Sequence, residues 1–394
     1  MKFASRMSKL GTETAFVTLA KAKELEAQGK SIVHLEIGEP DFATPRNIID
    51  KAHWALENGY THYTPSAGLR EMREKYAEYV SNRYGVQLSG KNVVIMPGAK
   101  PVVFLTALAL VDEGDEVIYP NPGYPAYESV STFLGAKSIP IILREKNEFR
   151  FDIDELKSLI TPKTKLVFIN SPQNPTGGML AKEDIIAISE LAEKHDFYIL
   201  SDEIYSRIVY EGEHFSIMNT DNPLKRVILL DGHSKTYAMT GWRLGYAVCN
   251  EELAAKLERL MTNAASCTAA FTQIAGAEAL HGDQTAVEDM VREFKERRDL
   301  IVDGLNAIEG VSCLMPKGAF YVFPNFSSFG RSGRDIADHL LYNAGVSCLA
   351  GTAFGEHGEG FLRFSYANSK ENIKEALRRI AEAMPLLEKH SSAT

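Results

Sequence analysis

Cysteine is scarce in this chain, and so is any long apolar run. Cys249, Cys267, Cys313 and Cys348 are scattered through 394 residues without a C-x-x-C pair, which argues against a disulfide framework or a zinc site and leaves them as expected core residues. His53, His62, His195 and His233 have no ligand spacing, so they read as structural and no metal is expected. The longest hydrophobic stretch, PVVFLTALALV at 101–111, is too short for a bilayer, which takes about 20 residues. The N-terminal MKFASRMSKLGTETAF lacks the apolar centre of a signal peptide. A cytoplasmic protein is expected, with no membrane partner. Positive charge is not in excess either: 43 Lys and Arg stand against 52 Asp and Glu, a formal net charge of −9, which disfavours nucleic acid as a partner. QGKS at 28–31 is no phosphate loop, because Glu24 stands where the leading glycine belongs.

What is present is an ordinary globular composition, 45% hydrophobic and 24% charged. At this length two folded units are expected, since single cores stop growing at roughly 250–300 residues. Strand-like runs occur at 93–98, 116–121, 137–143, 165–172, 198–204, 226–232 and 245–250, with helical patterns between most of them, such as 100–111, 155–160 and 181–195. Strands alternating with helices predict an α/β fold with a mostly parallel seven-stranded sheet covered on both faces. The strand at 245–250 follows its predecessor without a helix and is expected to run in reverse. This large domain is placed at 46–285. A long charged helix at 285–310 then leads to short strand-like pieces, AFYVFPNF, GVSCLAG and FLRFSYA, and to a terminal helix from 370. With the N-terminal helix at 14–28 these predict a smaller α+β domain made of 1–45 and 286–394. The charge run REFKERRD reads as the solvated face of the long helix, and 386–394 as a frayed tail.

Open α/β sheets bind ligands beyond the carboxyl ends of their strands, and motifs gather there: PGAK at 97–100, NPGYPAY at 121–127, NSPQNPTGG at 170–178, SDEIY at 201–205 and DGHSK at 231–235. The 97–100 segment leaves a strand and opens a helix, so its N–H groups suit a phosphate. Lys235 and Arg243 are the two charges of SKTYAMTGWRLGY, a stretch whose neighbours look half-buried and which supplies no acid; an anionic ligand would answer the cost of placing them there. Arg243 offers a five-donor fork for that phosphate. A partly desolvated Lys235 could form a Schiff base with an aldehyde. Pyridoxal phosphate carries both groups. Asp202 would hold the proton on its ring nitrogen, Tyr205 and Asn174 could bond its phenolic oxygen, and Tyr124 could stack on the ring. Plainer readings stand beside these: Tyr124 as core packing, Asp202 and Glu203 as the cap of a helix from 204, and Asn174, Pro175 and Gly177 as a turn. Arg363 in an apolar strand is harder to explain without an acid.

SPQNPTGG, SDEIY and SKTYAMTGWRLGY, together with HLEIGEPDF (34–42), YTPSAGLREMR (63–73) and LRFSYA (362–367), resemble the signature segments of fold-type I pyridoxal-phosphate enzymes of aminotransferase class I/II. The likeness runs along nearly the whole chain. It implies that Lys235 bonds the cofactor and then, displaced, moves the proton between the substrate α-carbon and C4′. It implies Asp202 on the pyridinium, Asn174 and Tyr205 on the phenolic oxygen, Tyr124 on the ring, and Gly98, Ala99, Lys100, Ser234 and Arg243 around the phosphate. Arg363 would hold the substrate α-carboxylate, with the backbone of Gly38 assisting. Tyr63 matches a residue that reaches the neighbouring subunit's phosphate, so a homodimer with a shared active site follows by analogy. The chain departs from many relatives at Gly232, where they carry a phosphate-binding serine; Ser234 would substitute.

The expected activity is transfer of an amino group from an L-amino acid to a 2-oxo acid such as 2-oxoglutarate, in a two-half ping-pong cycle. The resemblance leans toward prokaryotic-type aspartate aminotransferases, with aspartate or another acidic or aromatic donor. A β- or γ-lyase of the same fold and a noncatalytic amino-acid sensor are the alternatives. The sensor ranks low because Lys235 is retained and no helix-turn-helix extension is seen.

Overall fold

The structure is a computed structural model that describes residues 3–11 and 13–389. From the N-terminus, α1 (Thr14–Ala27), β1 (Val33–His34), α2 (Arg46–Glu57) and α3 (Arg70–Tyr84) precede the main sheet. Then come β2 (Val93–Met96), α4 (Lys100–Leu110), β3 (Glu116–Asn121), α5 (Ala126–Phe133), β4 (Lys137–Ile142), α6 (Ile153–Leu159), β5 (Thr164–Asn170), α7 (Lys182–His195), β6 (Tyr198–Asp202), β7 (Val227–Gly232) and β8 (Gly245–Val248). These strands form one seven-stranded sheet in the order β2-β8-β7-β6-β5-β3-β4. Six run in one direction and β8 alone is reversed, pairing antiparallel with both β7 and β2, as its helix-free connection predicts.

The central strands are continuously apolar because both faces are covered. Alternation along each strand sends Val94, Met96, Phe168, Leu200 and Leu230 into one core and Val93, Ile95, Val167, Ile199 and Leu229 into the other. Helices α8 (Glu251–Ala264) and α9 (Ala270–His281) lead to α10 (Thr285–Asn306), then β9 (Tyr321–Val322), α11 (Gly333–His339), β10 (Val346–Ser347), β11 (Leu349–Ala350), β12 (Leu362–Ser365) and α12 (Lys370–Lys389). Strands β11, β12 and β9 make a small antiparallel sheet, and β1 pairs with β10. The first core continues under these pieces through Phe294, Phe320, Phe364 and Ile380.

Several expectations shift. The long helix stops at Asn306 rather than 310, and the strand expected from AFYVFPNF is regular only over Tyr321–Val322, with isolated bridges from Asn325 to Ser312 and Phe361 beyond it. No helix begins at 204; residues 204–207 form turns. The expected frayed tail is helical as far as Lys389, since α12 buries Ile373, Ala376, Ile380, Ala383 and Met384 at helical spacing; residues 390–394 of that expectation, like residues 1–2 and Thr12 of the N-terminal one, lie outside the described residues. Cys249, Cys313 and Cys348 are buried, but Cys267 is only half-buried, because it sits in the turn before α9 with its sulfur 3.5 Å from the Thr64 amide. Among the described residues no helix is long and apolar enough to cross a membrane.

Candidate active site

Strands β5, β6 and β7 end at one crevice of about 570 Å³, which also meets β9, β11, β12 and the N-terminal segment 13–16. Its size is typical of a small-molecule site. Gly38, Ala99, Lys100, Tyr124, Asn174, Asp202, Tyr205, Ser234, Lys235, Arg243 and Arg363 all line it. Two expected residues do not. Gly98 lies behind the wall, and Tyr63 points away from this chain with 90% of its surface exposed.

One end of the crevice is built from two chain reversals. Between β2 and α4 the backbone turns at Gly98, whose φ of +104° lies in the region open to glycine. A Cβ there would run into the guanidinium of Arg243, so the two are nested. Arg243 donates Nη1 to the Thr240 carbonyl at 2.8 Å. Its side chain is exposed along the crevice rather than half-buried, because the Thr240–Trp242 turn carries it to the rim. Ser234 is buried. At Gly232 a Cβ would lie 3.2 Å from Gly245 Cα and from the Leu244 carbonyl, a space too tight for a side chain unless those neighbours shift.

Lys235 is half-buried and meets carbonyl rather than carboxylate oxygen: Nζ donates to Gly38 O. Burial pushes its ammonium down to about 8. Across the crevice, burial pushes the Asp202 carboxyl up to about 6, opposed by a hydrogen bond from Tyr127 Oη to Oδ2 at 2.8 Å and by the Ile204 amide at 3.2 Å. The second bond is what remains of the capping alternative. Next to it Glu203 faces the other side, where Ser201 and Ser216 donate to it.

Asn174 is held by its backbone amide on Asn170 Oδ1 at 2.9 Å, inside the turn that Gln173 closes on Thr176. Its own Oδ1 accepts from Arg363 Nη1 at 3.1 Å, which leaves the amide NH2 as its remaining donor. Arg363 is 4% exposed, donates Nη2 to the Glu36 carbonyl, and leaves Nε without a partner among the described residues. Its guanidinium lies 4.5 Å from the Tyr321 ring centroid and 4.8 Å from that of Phe354. Tyr205 Oη is 2.8 Å from Tyr321 Oη. Tyr124 donates to Glu13 Oε1 at 2.8 Å, and Lys100 pairs with the same carboxylate.

Sequence reading missed Tyr127, Tyr321 and Glu13. Tyr127 carried a signal, since it stands with Tyr124 in the NPGYPAY motif that closes a strand. Tyr321 carried none.

This donor set fits pyridoxal phosphate. The α4 N-terminus and the nested Arg243 make an anion cradle, an amine that is neutral above about pH 8 stands beside it, a buried carboxylate lies deeper in, and a buried guanidinium has an unused N–H.

Residues 30–380 match the family described as aminotransferase class I and II. An aspartate aminotransferase of Pyrococcus horikoshii is 42% identical over 92% of this chain and 93% of its own length. Aromatic-amino-acid aminotransferase 2 of Thermococcus litoralis is 39% identical over 91% and 93%. The solved aspartate aminotransferase of Thermus thermophilus with maleate superposes with a TM-score of 0.93 at 35% identity, covering 97% of this chain and 100% of that one. The chain belongs to the class I and II aminotransferase family and is a pyridoxal-phosphate-dependent transaminase.

Proposed function

We propose that the chain transfers the amino group of an acidic L-amino acid, aspartate foremost, to a 2-oxo acid such as 2-oxoglutarate. The observation that carries this reading is the count of cations in the crevice: Lys100, Lys235, Arg243 and Arg363. Lys235 serves the cofactor aldehyde, Arg243 its phosphate and Arg363 the substrate α-carboxylate. Lys100 is then the cation left for a second carboxylate, its backbone amide remaining with the phosphate cradle. Glu13, which now bridges Lys100 and Tyr124, holds that contact with its own carboxylate. The names of the P. horikoshii and T. thermophilus relatives, the second solved with the dicarboxylate maleate, support the same choice.

When bound, pyridoxal phosphate supplies an electrophilic aldehyde and a protonated ring that accepts the electron pair left at the substrate α-carbon. The rest is work for this chain's residues. The amides of Ala99 and Lys100, the Ser234 hydroxyl and Arg243 hold the phosphate, while the Gly98 amide donates to the Met96 carbonyl at 2.7 Å and only turns the chain behind them. Tyr124 covers one ring face. Asp202, ionised above about pH 6, keeps the ring nitrogen protonated. The Asn174 NH2 and the Tyr205 hydroxyl donate to the phenolic oxygen. Arg363 orients the α-carboxylate, with the backbone of Gly38 assisting. Lys235, once free, would be the base that carries the proton between the substrate α-carbon and C4′. We assign residues 46–285 to a large cofactor domain and residues 1–45 with 286–394 to a small one, the crevice lying between. A cytoplasmic homodimer, in which Tyr63 reaches the neighbouring site, completes the proposal and accords with the near-full exposure of that ring.

Apolar lining by Phe16, Ile37, Leu349 and Phe354, with the T. litoralis relative's name, favours an aromatic donor as a second reading. Lys100→Ala separates the two: kcat/KM for aspartate should fall about 10- to 100-fold while that for phenylalanine holds. An unchanged aspartate value removes the acidic assignment. Borohydride reduction should leave the cofactor on Lys235, and ammonia release without a second oxo acid would mark a lyase instead.

A further inference from the structure

Tyr321 belongs to no motif at the strand ends. It stands on β9, 1% exposed, yet lines the crevice. Its ring has neighbours enough to explain an aromatic residue, with Phe320 at 4.9 Å and the Arg363 guanidinium at 4.5 Å. Those contacts do not call for a hydroxyl. The hydroxyl is accommodated by glycine at 38, where a Cβ would overlap Tyr321 Oη, and it lies 2.8 Å from Tyr205 Oη. Arg363 therefore touches both donors assigned to the phenolic oxygen: Asn174 directly at 3.1 Å, and Tyr205 through Tyr321.

Two hydroxyls in contact hold two protons, and one of them must lie between the oxygens. A cation over the Tyr321 ring draws electron density from its oxygen and makes Tyr321 the better donor of the pair. The proton of Tyr205 is then free to point into the crevice. Resting on the assignment of Tyr205 to the phenolic oxygen, we propose that Tyr321 is a positioning residue that donates to Tyr205, fixes it as a donor to the cofactor, and places it under the charge of Arg363. A substrate carboxylate that neutralises Arg363 weakens this relay, so occupancy of the substrate site is transmitted to the cofactor's phenolic oxygen by a route separate from Asn174.

The test is a pH titration of the absorbance of bound pyridoxal phosphate in the reconstituted holoenzyme. A donor on the phenolic oxygen stabilises its negative charge and lowers the pH midpoint at which the nitrogen bonded to Lys235 loses its proton. Tyr321→Phe keeps the ring and should raise that midpoint by about half a unit to one unit, the worth of one hydrogen bond. Tyr205→Phe should raise it further, and the double variant no further than Tyr205→Phe alone. Gly38→Ala, which displaces the Tyr321 hydroxyl without removing it, should shift the midpoint the same way and serves if Tyr321→Phe fails to fold. An unchanged midpoint in Tyr321→Phe with a lowered thermal transition would reduce the residue to packing and overturn the proposal. Additive shifts in the double variant would also overturn it, since the residues would act independently. A wild-type spectrum with no response to pH, and no cofactor reducible onto Lys235, would sink the cofactor assignment itself and the relay with it.

Discussion

Tyr127 gives its hydroxyl proton to Asp202 Oδ2 at 2.8 Å, and the donor ring is in turn stacked on Phe168 at 4.8 Å between centroids. A carboxylate this deep is disfavoured by burial, and this bond works in the opposite direction. Tyr127→Phe should raise the Asp202 pKa above about 6, so that the carboxyl becomes neutral nearer the working pH. The acid limb of the kcat/KM profile should move up by about half a unit to one unit. An acid limb that stays put would show that Tyr127 does not tune this carboxylate.

Lys235 predicts the pH dependence of cofactor capture. Only the neutral amine attacks an aldehyde, and burial lowers this lysine from the ordinary value to about 8. Association of pyridoxal phosphate with the cofactor-free chain should therefore quicken tenfold per pH unit below about 8 and level off above it. A rate that keeps climbing toward pH 10 would mean an unperturbed lysine. Lys235→Ala should still bind the cofactor noncovalently and lose transamination, both measurable by dialysis and a coupled assay.

Gly98→Ala tests the nested cradle. The substitution meets a left-handed φ of +104° and the Arg243 guanidinium together. We expect a stability loss of about 1–3 kcal/mol in urea unfolding and at least tenfold weaker cofactor binding by fluorescence titration. Gly114, with a similar φ of +90° but open space around its Cβ position, is the control: alanine there should cost stability and spare cofactor affinity.

Arg363 sets stability against function. It is buried with neutral acceptors only, Asn174 Oδ1 and the Glu36 carbonyl, and burial pushes its guanidinium below the usual range. An unpaired buried charge destabilises a fold. Arg363→Met keeps most of the stem volume, so the urea midpoint of the cofactor-free chain should rise. Loss of the two-point grip on the α-carboxylate should cut kcat/KM by about 100-fold or more. A fall in both quantities would show that the guanidinium holds the fold through Tyr321 and Phe354.

The sheet was legible because its strands are short apolar runs closed by polar motifs, and a parallel sheet buries such runs on both faces. Lys235, Asp202, Asn174 and Arg363 could be picked out because a charge or amide at the end of an apolar strand asks for a partner. Tyr321 could not. Inside AFYVFPNF its hydroxyl is one aromatic choice among several, and only the pairing of β9 with β12 aims it at Tyr205. Glu13 was hidden for another reason, since its contact with Lys100 spans 87 positions and no local pattern encodes it. Asp202 and Glu203 looked like one acidic pair; the period-two pleat separates them to opposite faces, a distinction that follows from strand geometry once the strand is known to reach Asp202.

Strand β8 runs backwards in an otherwise parallel sheet, and through this reversal its first residue lies beside the last residue of β2, Gly245 opposite Met96. Two segments about 145 positions apart thereby meet edge to edge, with Arg243 arriving just ahead of one strand as Gly98 leaves the other. A Cβ on Gly245 would sit 2.6 Å from the Ala99 nitrogen, so the backbones fit with no spare width. Grip on the coenzyme is thus a property of one strand alignment. Lesions along that seam, even at Val94 or Ala247, which pair with each other and do not line the crevice, should first reveal themselves as coenzyme leakage from chains that are still folded.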